Sequence, residues 1–573
     1  MLQKGIKNSG SVWLQFLLLL LLVLLTGILR ARMNFSSEMI PGINGGYYPL
    51  LVRNLLDYGS IRYPDTPFVY WIQALISLLI RLFSNLDTDQ SVLLASRLFD
   101  SVFPPLTCIP VFLFARHHLK DQTGSRLYIF LISSFSVLYL AFLLILTSEM
   151  QKNAAGMVWL ACFIYSATRI SSNQSRKYLL ISLLFLILTA LTHIGCFAVA
   201  FLFILIYSVI YLIRSPKKIR IKTVFAILSI LAGIVLLSLI ILLRDPDRMQ
   251  RVLSFYLNPF RLFESPYLFI LGSGQQPYFG FLFHNFLLIN ILSIFGSVLL
   301  LLNRSSLTAS DFTCALSLFT LSLLLSSPLL GMEWALRYYL MAFLPIAFAS
   351  VFVFKSLKVR FHRIILSSVF FVITGFSLVV GFTGSRSPAI SSDSFADLKT
   401  IKTGINIGPN DLVIARHGLE WWTGWVLRCR TGKEYCLRPA DWDKYPNIYL
   451  LRQLAGNNFP GLQGAGQFAE FPVPETAEVV CTNSSFVLYR LYKPSESEYY
   501  PGVLPLLQGE IMLVADNELV IRSEGYKQTI KLDVSTVYVG CISGGLKPGM
   551  RADIWGNRIP FSLKIWAERI KAY

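Results

Sequence analysis

The sequence predicts a polytopic α-helical membrane protein with a two-part C-terminal region outside the membrane. Of its 573 residues, 54% are apolar and only 14% are charged, whereas soluble domains carry roughly 25% charged residues. Charged residues are sparse up to about Thr383 and ordinary in number after Ser385. We therefore expect a membrane domain (1–383), an α/β domain (384–500) and a small all-β domain (501–573), and this composition excludes a soluble enzyme.

Eleven segments are long and apolar enough to cross a bilayer, which takes about 20 residues. They lie near residues 12–30, 92–115, 126–146, 153–169, 177–191, 195–213, 222–243, 281–302, 311–329, 336–354 and 363–383. The shorter run 67–83 contains Gln73 and ends near Arg81, so we expect an interfacial helix there. The first run lacks a small-x-small cleavage pattern, which favours an uncleaved span over a signal peptide.

The basic residues predict how these spans are oriented. With eleven crossings, the loops on the side of the N-terminus hold most of the lysines and arginines, and the short loops on the opposite side hold almost nothing basic beyond Lys152 and Arg337. Basic loops face the cytoplasm. The net charge of +19 is therefore explained by orientation, without a nucleic-acid partner. We expect an extracytoplasmic C-terminal region and a prokaryotic plasma (inner) membrane.

The C-terminal region alternates short apolar runs with turn residues. Strand-like runs at 411–415, 447–451, 478–481 and 486–492, with a helix at 419–428, predict a small α/β domain. Further runs at 510–514, 518–521, 527–532 and 536–540 predict a small β-barrel or sandwich, with scaffolding or partner contact as its expected role. The residues between 384 and 394 are expected to be a linker.

Polar residues collect in the first external loop, where Glu38, Asn44, Tyr47, Tyr48 and Asp65 lie between the first span and the proline-led run at 67–83. This loop resembles that of the GT-C superfamily, polytopic glycosyltransferases that use polyprenyl-phosphate-linked sugars. The protein O-mannosyltransferases, the aminoarabinose transferase of lipid A and the catalytic subunit of oligosaccharyltransferase belong to it. The resemblance implies a GT-C-like fold and an acidic loop residue that acts as base or orients the acceptor.

This chain departs from the GT-C pattern at Asn44, where many members have aspartate. An amide cannot accept the proton of an acceptor hydroxyl. The base is then expected to be Glu38 or Asp65, or the usual activity has been lost. Tyr47 and Tyr48 are expected to bind substrate.

A second group of candidate residues lies in later external loops. The resemblance implies an acidic second motif at Glu149, which holds a divalent cation (Mg²⁺ or Mn²⁺) or the donor phosphate in some members. Lys152, at i, i+3, would reach the same ligand from one helix face; an interfacial cap is the alternative. The resemblance also implies that Arg337 binds the lipid phosphate, although it also suits an aromatic belt.

Two further polar positions have structural alternatives. His193 is expected to donate to phosphate or act as acid–base, or else to cap a helix; a lone histidine does not indicate a metal site. Arg97 and Asp100, spaced i, i+3 in a span, are expected to form a structural pair. The loop 244–280 is long enough to form a lid.

The expected function is therefore transfer of a sugar from a polyprenyl-phosphate-linked donor to an extracytoplasmic lipid, glycan or protein. The expected partners are that donor, membrane lipid and the acceptor. Two alternatives remain: a transporter or flippase for lipid-linked sugars, or a catalytically inert scaffold in cell-surface polysaccharide assembly. The charges at the outer rim favour an enzyme, because transporters place ionisable residues at mid-membrane.

Overall fold

The N-terminal two thirds of the chain is a bundle of α-helices. The computed structural model describes residues 2–63, 65–170, 175–214, 262–263, 266, 280–331, 337–432, 439–454, 473, 477–493, 505–515, 517–523, 526–532, 536–539, 546–559 and 564–572. The helices of the bundle are α1 (Leu2–Asn34), α2 (Tyr47–Tyr58), α3 (Phe68–Phe83), α4 (Thr88–Val102), α5 (Cys108–Leu119), α6 (Ser125–Leu138), α7 (Leu140–Leu144), α8 (Gln151–Thr168), α9 (Ser175–Thr192), α10 (Ile194–Arg214), α11 (Gly280–Leu302), α12 (Ala309–Leu325), α13 (Phe343–Ser356) and α14 (Arg360–Thr383).

Apolar helices in this bundle are long enough to cross a membrane. In the described part of the chain, four segments qualify by length and composition: Trp13–Asn34, Thr88–Leu119, Ile194–Arg214 and Arg360–Thr383. Shorter apolar helices, α3 among them, accompany these. The chain is therefore an integral membrane protein. The count of eleven spans stays a prediction, because the segment 222–243 lies outside the described residues.

A buried polar network fixes α1 against α4. Arg30 donates to the Asp100 carboxylate at 2.7 Å and to the carbonyl of Phe142 at 2.8 Å, and neither charged side chain is exposed. Asn34 donates to the other carboxylate oxygen at 2.9 Å. The predicted Arg97–Asp100 pair is therefore wrong, because Arg97 turns toward the first loop and donates to the carbonyls of Ser37 and Glu38.

After α14 the chain forms a mixed sheet with helices packed on it. Strands β1 (Leu412–Ala415), β2 (Arg430–Gly432), β3 (Ile448–Gln453), β4 (Glu478–Thr482) and β5 (Phe486–Leu491) lie in the order β2-β1-β3-β5-β4. β1 pairs in parallel with β2 and β3, whereas β5 runs antiparallel to β3 and β4. The helices of this part are α15 (Ser392–Gly404), α16 (Leu419–Leu427) and α17 (Pro439–Lys444).

The segment from the end of α1 to α3, which contains the first loop, shares one hydrophobic core with this α/β unit. Tyr48 and Tyr70 from the bundle pack in the same buried cluster as Trp422 and Trp425 of α16. Arg53 of α2 donates to the carbonyl of Trp425 at 2.6 Å, and its guanidinium lies 4.2 Å from the Trp425 ring centre. The α/β unit is therefore packed onto α2 and α3 through buried contacts.

The last part of the chain is a closed β-barrel, which settles the choice between barrel and sandwich. Its strands are β6 (Leu507–Val514), β7 (Glu518–Ser523), β8 (Tyr526–Lys531), β9 (Val537–Val539), β10 (Arg551–Arg558) and β11 (Ile565–Ala572). β6, β7, β8, β11 and β10 pair in that order, β10 returns to β6, and β9 pairs with β11. Alternate residues such as Ile511, Ile521 and Ile570 fill the interior.

Candidate functional site

The centre of the candidate site is the carboxylate of Asp65, in the loop between α2 and α3. It accepts hydrogen bonds from the hydroxyl groups of Tyr47 and Tyr70, the latter at 2.6 Å, and forms an ion pair with Lys152. The backbone N–H of Thr66 donates to its second oxygen at 2.7 Å. The Asp65 side chain is only 8% exposed. A single buried carboxylate thus gathers one cation and three hydrogen-bond donors.

Three helix starts bring these partners together. Tyr47 is the first residue of α2, Tyr70 lies in the first turn of α3 and Lys152 lies in the first turn of α8. The Lys152 ammonium lies 5.7 and 5.9 Å from the ring centres of Tyr47 and Tyr70, within the range of cation–π attraction. Because each partner is near a helix start, the cluster lies at the end of the bundle that meets the α/β unit.

Burial and pairing shift the pKa of Asp65 in opposite directions. Burial raises the pKa of Asp65, but the Lys152 charge and the hydrogen bonds from Lys152, Tyr47 and Tyr70 outweigh it and hold the pKa well below its ordinary value. Burial, followed by the charge of Asp65, raises the pKa of Tyr47 well above its ordinary value. Asp65 is therefore ionised and Tyr47 is a hydrogen-bond donor at neutral pH.

His193 lies beside this cluster, in the turn between α9 and α10. The hydroxyl of Thr66 donates to the carbonyl of Thr192 at 2.9 Å, which ties the Asp65 loop to this turn. Burial, together with the charges of Lys152 and Arg337, lowers the pKa of His193 to about 3 despite the opposing charge of Asp65. Its Nδ1 accepts the Cys196 N–H at 3.2 Å. The imidazole is therefore neutral, with its proton on Nε2.

Arg337 lies within electrostatic range of His193 and is exposed. It lies in a helical stretch at 337–339, which a turn at 340–342 separates from α13, so the predicted tenth span (336–354) is interrupted there. Neighbouring Tyr338 is half-buried. Arg337 is therefore an exposed residue whose positive charge acts on His193.

Glu149 and Lys152 contact different side chains of the protein, and the prediction that they reach one ligand stays a prediction. Glu149 precedes α8 and follows Ser148, whose backbone is in the left-handed region (φ 67°). The Glu149 carboxylate forms an ion pair with Arg386. Gly42, with φ 93°, packs against it, and a Cβ there would lie 3.0 Å from the Glu149 Cβ. The carboxylate therefore fastens the first loop to the segment after α14, while Lys152 turns to Asp65.

Asn44 and the tyrosines after it contact α16. The Asn44 side-chain oxygen accepts the indole N–H of Trp421 at 3.2 Å, and the Trp421 ring meets Tyr47 edge-on with ring centres 4.6 Å apart. The Tyr48 hydroxyl donates to the carbonyl of Glu149 at 3.3 Å. Asn44 and Tyr48 thus support the cluster by holding its neighbours.

Glu38 lies apart from the cluster. Its side chain is exposed, and its carbonyl accepts a hydrogen bond from Arg97. The structure therefore gathers Asp65, Lys152, Tyr47 and His193, with Arg337 nearby, and leaves Glu38 outside. The loop 244–280 lies outside the described residues except for positions 262, 263, 266 and 280.

Tyr70 and Arg386 were missed by the sequence reasoning. Tyr70 follows Asp65 by five residues at the start of a helix, a spacing that could have suggested a contact. Arg386 carries no local signal, because it stands in a stretch rich in serine, glycine and proline and pairs with a residue 237 positions away.

The divalent cation (Mg²⁺ or Mn²⁺) expected at Glu149 stays a prediction. Among the described residues, no three histidine, cysteine or acidic side chains come together to hold a metal ion. The two nearest carboxylates, Asp65 and Glu149, are each neutralised by a cationic side chain.

Comparison with known proteins yields a structural likeness. No family model matches the sequence, and no curated protein matches it. The structure is similar to the crystal structure of ArnT from Cupriavidus metallidurans in the apo state, with a TM-score of 0.40 and 11% identity, over 84% of this chain and 98% of that one. A likeness at that level assigns neither reaction nor site.

Proposed function

We propose that the chain transfers a sugar from a polyprenyl-phosphate-linked donor to an acceptor on the extracytoplasmic face of a prokaryotic plasma membrane. The observation that carries this proposal is the buried Asp65–Lys152 pair with Tyr47 and Tyr70, next to the accessible charge of Arg337. A carboxylate base and cations for a departing phosphate are the groups that such a transfer needs.

In the proposed reaction Asp65 orients the acceptor hydroxyl and accepts its proton. The observed pairing makes Asp65 a weak base, because its pKa is held low and a good base has a pKa near the working pH. A donor phosphate would compete for Lys152. Once Lys152 moves to the phosphate, Asp65 loses its cation, and burial then raises its pKa.

The leaving phosphate is proposed to be neutralised by Lys152 and Arg337. Arginine suits phosphate because its planar guanidinium presents several donors at once. Neutral His193 has a proton on Nε2 and is a candidate donor to the same group. In this scheme Lys152 moves to the phosphate when the donor binds, so both cations face the phosphate before charge develops on it.

The test is binding of undecaprenyl phosphate, followed by release of undecaprenyl phosphate from undecaprenyl-phosphoryl-mannose and related donors, with the purified protein in detergent. We expect Lys152→Met to weaken binding of the carrier phosphate at least tenfold. Lys355→Met is the matched control, because Lys355 pairs with Asp311 at 2.8 Å in a different cluster.

Each outcome separates the candidate functions. Donor cleavage that requires Asp65, as measured with Asp65→Asn, supports the enzyme. Carrier binding without cleavage of any donor would support the inert scaffold, and transbilayer movement of intact donor in vesicles would support a flippase. Equal carrier binding by Lys152→Met, Lys355→Met and the unaltered protein would overturn the proposed phosphate site.

A further inference from the structure

The C-terminal barrel has the strand arrangement of an OB-fold. β6, β7 and β8 form an antiparallel meander, β8 pairs in parallel with β11, and β10 joins β11 back to β6. β6 serves two neighbours, because its first half pairs with β10 and its second half with β7, across a bulge between Ile511 and Leu513. In this Greek-key barrel the second and third strands present a surface that binds oligonucleotides and oligosaccharides.

The outward residues of β7 and β8 form ordered cross-strand rows. Arg522 stands opposite Lys527, Val520 opposite Thr529 and Glu518 opposite Lys531. β11 extends the last row, because Trp566 lies beside Lys531 and is 45% exposed. We call this surface the platform, and define it as Val520, Arg522, Lys527, Thr529, Lys531 and Trp566.

Two like charges on the platform lower the stability of the sheet. Arg522 and Lys527 face each other directly, and like charges at such positions destabilise a sheet. Glu510 of β6 stands on the other side of Arg522 and offsets one charge. Glu518 is engaged by Lys564, with Nζ and Oε1 2.6 Å apart. Glu568 of β11 is also exposed, two residues after Trp566. Four cationic residues (Arg522, Lys527, Lys531 and Lys564) thus face three acidic ones (Glu510, Glu518 and Glu568), which leaves one net positive charge around the half-buried Val520 and Thr529.

We propose that the platform binds an anionic oligosaccharide. The Trp566 ring would stack on a sugar face, while Lys531, Lys527 and Arg522 would pair with carboxylate or phosphate groups along the chain. The rows extend from Glu518 to Arg522, four residue steps of about 3.3 Å or about 13 Å in all, which accommodates a short oligosaccharide. A glycan is favoured over a nucleic acid because the proposed function places this barrel outside the cytoplasm.

The test is fluorescence anisotropy with a fluorescein-labelled oligogalacturonate and the full-length protein in detergent micelles. We expect saturable binding that weakens with salt, and at least a tenfold loss of affinity in Trp566→Ala, because that change removes the ring on which the sugar would stack. Trp566→Phe should retain most of the affinity. Lys531→Gln should weaken binding and make its salt dependence shallower.

Lys571→Gln is the matched control, because Lys571 lies on the same strand but opposite Asp553 of β10. We expect its affinity to equal that of the unaltered protein. Binding unaffected by Trp566→Ala would overturn the proposal, as would tighter binding of a labelled oligothymidylate. A neutral malto-oligosaccharide that binds equally well would overturn the anionic class. Lys152→Met should bind oligogalacturonate normally, so failure here is distinguishable from failure of the proposed transfer.

Discussion

Replacing Lys152 by methionine tests the central ion pair most directly. The two side chains are 14% and 8% exposed, so removing the ammonium leaves a buried carboxylate without its cation. Breaking a buried pair in this way costs about 3–5 kcal/mol. We expect the lower end, about 3 kcal/mol, because Asp65 keeps its hydrogen bonds from Tyr47, Tyr70 and Thr66.

A double-mutant cycle isolates the pair from these other contacts. Asp65→Asn should cost about 3 kcal/mol for the same reason, since it strands the Lys152 charge. The double variant removes both charges and should cost about as much as either single change, which gives an interaction energy of about 3 kcal/mol.

The assay is denaturant unfolding of the purified protein in micelles, followed by tryptophan fluorescence, with free energies taken by linear extrapolation. Trp421 and Trp422, close to the site, provide the signal. Lys355→Met is again the control, because Lys355 is 30% exposed and should lose no more than about 1 kcal/mol. Strictly additive single costs, or a neutral Lys152→Met, would refute the buried-pair argument.

Three further changes have defined outcomes. Lowering the pH from 6 to 4 should reduce the free energy of unfolding by up to about 1.4 kcal/mol per pH unit through His193 alone. The pKa of His193 in the fold, about 3, lies below its value in the unfolded chain, so only the unfolded chain gains the proton in this range. In acid-denaturation curves, His193→Asn should therefore show a smaller slope. Gly42→Ala should cost about 1–3 kcal/mol through its φ of 93° and the contact with Glu149, whereas Gly59→Ala, with φ 69° and open space around it, should cost less in the same unfolding assay. Arg53→Met should leave the buried carbonyls of Gly424 and Trp425 without their hydrogen-bond donor, which lowers the free energy of unfolding by about 1–3 kcal/mol. The weaker packing of α16 should be detected as faster proteolysis between α14 and α16.

The parts of the fold that local patterns determine were predictable. In α3, Gln73 and Ser77 face inward while Leu75, Leu79 and Leu82 are exposed, so the helix itself could be predicted from its sequence pattern, whereas its interfacial position stays a prediction. The runs that became β1, β3 and β5 are short, apolar and bounded by turn residues, so their sequence alone indicates strands.

Contacts between distant segments were not predictable. β11 reads Ile-Trp-Ala-Glu-Arg-Ile-Lys-Ala, and alanine, glutamate, arginine and lysine favour helix; pairing with β8 and β10 overrides that preference. In the candidate site, too, local features could be predicted and contacts between distant segments could not. Asp65 was a candidate because its loop is polar, whereas its link to Lys152 bridges 87 positions and required the fold.

The core shared by the first loop and α16 also constrains how the protein is made. Arg53 and the Trp425 carbonyl that it binds are 372 residues apart, and translation proceeds at about 5–20 residues per second. The first loop therefore waits about 20–70 s after its own synthesis before α16 exists to complete its packing. Throughout that interval Tyr48 and Tyr70 lack the part of their buried cluster that Trp422 and Trp425 contribute, so this loop stays incompletely packed until the α/β unit has been synthesised.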